Sequence, residues 1–347
     1  CMLKKKIAIL VNSLAAGGAE RIVANLLMAL HKEYEVHLLL LRDEIDYPVP
    51  EGQRIAFLSS ERQGGSDAGS NMLRLPLVAW RLRKYCNDHE IDLLISFMTR
   101  PNFAAGLARK LGLKAGVVMS ERTYTPLFYD KRSLRGKVGG FLVGWLYPLA
   151  DQILPNSVGT KDALINTYGV TKPEYYLVPN QIPVNQISAA SREDVDDVDF
   201  SRFTFVYVAG FRHEKNHSLL IDAFKMLDEP ECQLLLVGKG RTLQAAREQA
   251  ASLGVSERVI FIGQKDNPHS YVARSHCVVL SSIYEGFPNV LLEAMACEKP
   301  IISTDCPTGA RELLAPSLTS TLAAGTVFHG EYGVLVPVGD AAALAAA

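Results

Sequence analysis

Two carboxylates eight residues apart stand in the stretch Glu285-Gly286-Phe287-Pro288-Asn289-Val290-Leu291-Leu292-Glu293. The apolar run Cys277–Leu280 before them reads as a buried parallel strand. Gly286 and Pro288 punctuate a turn, and Asn289–Cys297 carries helix formers. Pro288 suits a first helical turn, where its missing N–H costs nothing. The first N–H groups of a helix have no partner inside it, and together with the helix dipole they favour an anion, phosphate above all. Asn289 and Glu293 are four apart and share a face. One carboxylate on the loop and another inside the helix can hold two sets of hydroxyls around one phosphate group. Taken singly, each Glu would read as a solvated surface residue; the combination sets the stretch apart.

A metal-free phosphate site needs fixed cations. Ala209-Gly210-Phe211-Arg212-His213-Glu214-Lys215-Asn216-His217 follows another strand-like run and places Arg212 and Lys215 three apart at a loop–helix junction. Both can reach a diphosphate, or both are solvated surface charges. Near the start, Gly17-Gly18-Ala19-Glu20-Arg21 lies between a strand and a helix. Glycine there lets the backbone approach a ligand, although any strand–helix turn uses such a pair. No G-x-G-x-x-G with a following acidic residue occurs, which argues against a dinucleotide oxidoreductase.

The run Glu-Gly-Phe-Pro-Asn-Val-Leu-Leu-Glu-Ala-Met-Ala resembles, without a gap, the Glu-x7-Glu signature of family 4 glycosyltransferases, with Glu285 and Glu293 at its two positions. Gly-Gly-Ala-Glu at 17–20, Val178-Pro179-Asn180, Lys215-Asn216, Thr304–Gly309 and Gly333–Asp340 extend the resemblance over nearly the whole chain. It implies the GT-B fold and a retaining sugar transfer that needs no metal and no other cofactor. It also implies that Lys215, with Arg212, and the amides of Asn289, Val290 and Leu291 stabilise the leaving diphosphate. Glu293 would hold the ribose hydroxyls and Glu285 those of the donor sugar, with Gly286, Phe287 and Pro288 forming the loop between them. Gly17 and Gly18 would face the donor diphosphate from the other half. Arg122, in Ser120-Glu121-Arg122, takes a position near donor sugar and acceptor, as could Glu121; a structural ion pair fits the same two residues. The family's usual arginine position is Gly210 here, with Arg212 two residues later. The implied donor is a UDP-sugar carrying GalNAc or another hexose, and the implied acceptor a polyprenyl-diphosphate-linked oligosaccharide. A soluble acceptor and a non-catalytic sugar-nucleotide-binding module are the alternatives.

Such a site needs strand ends brought together. Lys6–Asn12 reads as a strand, followed by the turn Ala15-Ala16-Gly17-Gly18 and a helix from Ala19 to about His31, with Ile22, Val23, Leu26, Leu27 and Leu30 at helical spacing. Glu35–Leu41, Ile91–Phe97, Ala115–Ser120, Asp151–Pro155 and Glu174–Val178 continue the strands, with helices near 71–88, 101–111, 135–149 and 158–168. A second series starts at Phe203–Ala209, with strands Gln233–Val237, Val259–Ile262, Cys277–Leu280 and Pro300–Ser303 and helices near 216–228, 242–253, 288–297 and 308–314. The alternation predicts an α/β protein of two Rossmann-like domains facing a deep cleft, with ligand at the carboxyl ends of the strands. The expected domains are 1–187 and 203–347. Between them Ser188–Asp199 is small, polar and acidic, as in a linker. Its two D-x-D spacings match a metal motif of other glycosyltransferases, but no strand–loop context surrounds them. The alanine-rich end after Asp340 reads as the start of a helix cut short.

A chain of 347 residues is too long for one core of ordinary size. With 36 basic and 37 acidic residues the net charge is −1, so no global basic bias points to nucleic acid. No apolar run reaches the roughly 20 residues a membrane span needs, and Ile7–Val11 is too short for a signal-peptide core. The six cysteines, Cys1 among them, show no CxxC pairing and fit a reducing cytoplasm. From Arg100 to Trp145 there are nine basic residues against Glu121 and Asp130, a local excess of seven. Phe128, Tyr129, Leu134, Phe141, Leu142 and Trp145 interleave with them, and Met72–Tyr85 is similarly basic and aromatic. This is the make-up of a surface resting on anionic lipid, unless Phe141–Leu149 packs in the core. The expected location is peripheral, on the cytoplasmic face of the inner membrane.

Overall fold

The apolar runs of the first half form a seven-stranded parallel sheet in the order β3-β2-β1-β4-β5-β6-β7. Its strands are β1 (Lys6–Val11), β2 (Glu35–Arg42), β3 (Arg54–Glu61), β4 (Leu93–Phe97), β5 (Gly116–Glu121), β6 (Gln152–Pro155) and β7 (Glu174–Tyr175). The computed structural model describes residues 4–15, 17–61, 72–129, 132–227 and 229–347. Cys1, Ala16, Asp130, Lys131 and the outermost residues of the helices expected at 71–88 and 216–228 lie outside the described residues. Both faces of this sheet are covered, which is why its strands read as unbroken apolar runs. Ile7, Ile9 and Val11 pack with Val23 and Leu27 of α1 (Gly18–Leu30) on one face. Ala8 and Leu10 point to the other, where α2 (Leu75–Asp88), α3 (Thr99–Lys110), α4 (Leu134–Leu146) and α5 (Val158–Tyr168) supply Val78, Phe103, Val143 and Leu164.

The second half repeats the plan. β8 (Phe203–Val208), β9 (Cys232–Val237), β10 (Val259–Gly263), β11 (Cys277–Leu280), β12 (Ile301–Thr304), β13 (Phe328–His329) and β14 (Val334–Val336) form a sheet ordered β10-β9-β8-β11-β12-β14-β13. Only the last pair is antiparallel. Its helices include α6 (His217–Met226), α7 (Leu243–Ser252), α8 (Asn289–Ala296) and α9 (Ala310–Leu314). Strand order reverses between β1 and β4 in one sheet and between β8 and β11 in the other. In doubly wound sheets, ligands bind outside the carboxyl ends of the strands at this reversal.

Differences from the sequence reading are local. β3 and the β13–β14 pair were not expected, because β13 and β14 span only two and three residues and the short apolar run Ile55–Leu58 of β3 ends in the polar Ser59-Ser60-Glu61. The helix expected to reach residue 149 stops at Leu146, and Tyr147–Leu149 continues as a 3-10 turn around Pro148. The chain divides into two compact units between Asn180 and Gln181, directly after Val178-Pro179-Asn180. Val184–Ala190 is helical, and the acidic stretch folds onto the second unit. Asp194 meets Arg274 at 2.9 Å, and Asp197 meets Lys265 at 2.5 Å and the Tyr271 hydroxyl at 2.9 Å. Fixed cations, not a free tether, account for those acids.

Candidate active site

In the second unit, two loops leave the adjacent strands β8 and β11. Ala209–Asn216 runs from the first and Ser281–Pro288 from the second. They are sewn together. The Ser281 hydroxyl donates to the carbonyls of Lys215 and Asn216 (both 3.1 Å), the Ile283 amide to Glu214 O (2.8 Å), and the Tyr207 hydroxyl to Lys215 O (3.0 Å). Asn216 has φ +50°, in the left-handed region that Asn tolerates, and this turns the chain from the Lys215 loop into α6.

This stitching brings Lys215 to Glu285. Its ammonium donates to both carboxylate oxygens, at 2.6 and 2.8 Å, with side chains only 16% and 10% exposed. The Ser282 hydroxyl donates to the same Oε1 at 2.6 Å and lies 3.0 Å from the Tyr207 hydroxyl. Thr308 Oγ1 donates to the Glu285 carbonyl. Burial, and then the Glu285 charge, push the Tyr207 hydroxyl well above the usual tyrosine range, so it stays a neutral donor. Removing either partner of such a buried pair strands the other charge at a cost of about 3–5 kcal/mol. Gly309, at φ +75°, closes the loop from behind: a Cβ there would stand 2.5 Å from Pro288 Cδ.

Past Gly286 and Phe287 the chain enters α8, which starts at Asn289 with Pro288 just before it. Glu293 is buried one turn in. The Leu291 amide, one of the expected anion donors, donates to Pro288 O at 3.0 Å in this structure. Asn289 and Val290 open the helix beside Glu285.

Arg212 is not part of the buried cluster. Its guanidinium pairs with Glu214 at 3.2 Å and is 56% exposed, because the Arg212 amide turns back to Gly210 O (2.8 Å) and leaves the side chain on the outer edge of the loop. Three features went unread in the sequence. Ser282 and Tyr207 tie Glu285 down, yet hydroxyl residues at strand ends carry no spacing signal. Gly238-Lys239-Gly240 after β9 presses on the Ala209–Phe211 loop: Cβ atoms at Gly238 and Gly240 would stand 2.0 Å from Ala209 O and 2.3 Å from Phe211 O. The G-x-G after an apolar run was the signal for it. His217, at the start of α6, stacks on Phe211 with centroids 3.9 Å apart, and neither ring nitrogen has a hydrogen-bond partner among the described residues. Burial, reinforced by the Lys215 charge, pulls its pKa down to about 4.

The first unit holds Gly17, Gly18 and Arg122. Gly17 caps α1 in an extended conformation, φ −167°, that any residue adopts. A Cβ on it would stand 2.2 Å from Glu20 Oε2, so the carboxylate of Glu20 lies over this helix start. Arg122 is held locally, with Nε donating to Ser120 Oγ (2.9 Å) and Nη1 to Asn180 Oδ1 (2.6 Å) and Val178 O (3.2 Å). It therefore grips the turn that ends this unit. Glu121 is fully buried and accepts from the Tyr147 hydroxyl, Thr99, Asn102 and the amides of Arg122 and Thr123. Burial pushes its carboxyl up against the pull of those hydrogen bonds. It is a structural acid.

Residues 16–186 match the family model "Glycosyltransferase Family 4", and residues 197–347 match "Glycosyl transferases group 1". An N-acetylgalactosamine-N,N'-diacetylbacillosaminyl-diphospho-undecaprenol 4-alpha-N-acetylgalactosaminyltransferase of Campylobacter jejuni is 34% identical, over 96% of this chain and 86% of its own length. The chain belongs to glycosyltransferase family 4. A second C. jejuni relative of this glycosyltransferase, a GalNAc-alpha-(1->4)-GalNAc-alpha-(1->3)-diNAcBac-PP-undecaprenol alpha-1,4-N-acetyl-D-galactosaminyltransferase, is 26% identical over 89% of this chain and 82% of its own. Among solved structures, Anabaena HepE in complex with UDP and glucose superposes with a TM-score of 0.75 at 19% identity, over 99% of this chain and 88% of its own. Sucrose-phosphate synthase from Thermosynechococcus elongatus gives 0.76 at 20% identity, with the same coverage. The glycosyltransferase thus has the GT-B fold. Its Glu285–Glu293 stretch lies in the second matched region and its Gly17-Gly18 turn in the first.

Proposed function

We propose that this glycosyltransferase moves a hexose, GalNAc in the favoured case, from a UDP-sugar to a polyprenyl-diphosphate-linked oligosaccharide with retention at the anomeric carbon. The carrying observation is the buried Lys215–Glu285 contact beside the start of α8, at the strand-order reversal of the second sheet. It sets a cation for phosphate and a carboxylate for sugar hydroxyls in one place, each fixed by neighbouring loops. The acceptor class is supported by the names of the two Campylobacter relatives.

In this reading Lys215 and the first amides of α8 stabilise the negative charge that grows on the diphosphate as the anomeric C–O bond breaks. Glu293 accepts from ribose hydroxyls and Glu285 from the sugar. The acceptor hydroxyl oxygen bonds to the anomeric carbon on the face that the diphosphate leaves, and its proton passes to the departing phosphate oxygen. No metal is required by this scheme. Arg122 keeps the first unit's final turn in place through Asn180 and Val178. The proposed location is the cytoplasmic face of the inner membrane; the five described cysteines are free, as suits a reducing compartment.

The test is a thermal-shift titration with UDP, GDP and ADP, with and without EDTA, followed by transfer from UDP-GalNAc to a polyprenyl-diphosphate oligosaccharide. A ligand that binds only the native state raises its apparent stability. Stabilisation by UDP alone, unchanged by EDTA, and an α-linked product support the scheme. A shift that needs a divalent ion, or a β-linked product, overturns it.

A further inference from the structure

The first unit carries an apolar ridge that its own core does not use. α4 turns Gly136, Gly139, Val143 and Leu146 inward. Its opposite face carries Leu134, Val138, Phe141 and Trp145, at i, i+4, i+7 and i+11, and all four are exposed, Leu134 by 79% and Phe141 by 67%. A surface helix ordinarily turns charged and polar residues outward, and a contiguous exposed apolar patch marks an interaction surface. Phe141 and Trp145 stack with centroids 6.0 Å apart, and Lys110 Nζ lies 4.6 Å over the Trp145 ring. Next along the same face of the sheet, α2 exposes Leu77 and Trp80, with Leu73 just before it. Arg83 of α2 donates to Leu111 O at 3.3 Å, so the end of α3 bridges the two helices.

On α4 and α3 themselves the charge has one sign. Lys110, Arg135 and Lys137 are exposed beside it, and no acidic residue occurs from Arg132 through Ala150 or within α3. Aromatic and aliphatic side chains on one helix face, rimmed by Lys and Arg, are the chemistry of an interfacial helix on anionic lipid. Among the described residues no helix is long and apolar enough to cross a membrane.

We propose that this face docks on an anionic bilayer: Leu134, Val138, Phe141 and Trp145 enter the interfacial layer, and Lys110, Arg135 and Lys137 meet lipid phosphates. The proposal rests on the reading that the acceptor is lipid-linked, since such an acceptor presents its sugars at that surface.

The experiment is sedimentation of the whole chain with vesicles of phosphatidylcholine, with or without phosphatidylglycerol. The chain should sediment only with the anionic vesicles, and less so as salt rises. Each cation at the surface is worth about a fivefold change in partition, so Arg135→Glu with Lys137→Glu should lower binding by about 25-fold or more. Phe141→Ser with Trp145→Ser should lower it by at least about tenfold. In a Trp80→Phe chain, Trp145 emission should shift to the blue when anionic vesicles are added. Transfer to a short-chain water-soluble acceptor should persist in all three variants, which shows that they fold. Vesicle binding indifferent to both double substitutions overturns the assignment. So does a dimer in solution that the Phe141→Ser/Trp145→Ser pair dissociates, since a second copy would then cover the ridge. Loss of transfer to every lipid-linked acceptor, with vesicle binding as expected, would fall on the proposed function and leave the docking face standing.

Discussion

Replacing Ser282 with Ala tests whether the orientation of Glu285, and not merely its charge, matters for sugar transfer. Ser282 Oγ donates to Glu285 Oε1 at 2.6 Å, while Lys215 holds both oxygens from the other side. The alanine removes one charge-assisted hydrogen bond, worth about 1.5–3 kcal/mol where a buried carboxylate accepts it. It strands no other donor, because the Tyr207 hydroxyl keeps Lys215 O at 3.0 Å. If the lost contact is felt fully in the transition state, kcat/KM falls by about 10- to 150-fold. Glu285 is assigned to the donor sugar and not to UDP, so the dissociation constant for UDP should hold within about twofold. The assay pairs initial rates of transfer with calorimetric titration of UDP. A kcat/KM within twofold of the parent in a folded variant would refute the positioning role. UDP affinity falling in step with the rate would refute the division of labour between Glu285 and the diphosphate site.

Three further outcomes follow from the same geometry. Glu285→Gln keeps the shape but removes the charge, so transfer should fall by about 100-fold or more while UDP still binds, as single-turnover rates and titration will show. Gly240→Ala forces a side chain into φ +153° with its Cβ 2.3 Å from Phe211 O; the melting temperature should drop by about 4 °C or more, with weaker UDP binding as the Ala209–Phe211 loop shifts. His217 titrates near 4 in the folded chain against about 6.5 in the unfolded one. The unfolded state therefore takes up the proton first; the contribution of His217 to stability is complete above about pH 6.5 and falls by roughly 3 kcal/mol on the way to pH 4. Urea unfolding across that range should show the slope, and a folded His217→Phe variant that keeps the slope unchanged would refute the assignment to His217.

Much of this glycosyltransferase was written in local pattern. Parallel strands buried on both faces, such as Ile7–Val11 and Cys277–Leu280, must be apolar throughout, and the glycine turns between them must be polar. Alternation of apolar runs with helical spacing therefore gave eleven of the fourteen described strands. The Glu285–Glu293 spacing was equally legible, because eight residues of loop and helix fix it without help from the rest of the chain. What failed was what has no local signature. The acids of Asp194–Asp199 read as a tether because the cations they meet, Arg274 and Lys265, come from a helix and a loop far along the chain.

The tertiary structure alone decided which of the chemically able residues stand together. Arg212 and Lys215 are three apart and equally charged, yet only Lys215 reaches Glu285, because the left-handed turn at Asn216 and the hydroxyl of Ser281 aim one side chain inward and leave the other on the rim. Arg122, which the resemblance places near donor sugar and acceptor, is held by Asn180 and Val178, contacts no local pattern announces. Sequence set the secondary elements because backbone and side-chain preferences act over a few residues. The partners of a charge are chosen by strand order, which places residues 215, 285 and 308 side by side, and strand order is settled only when the whole sheet packs.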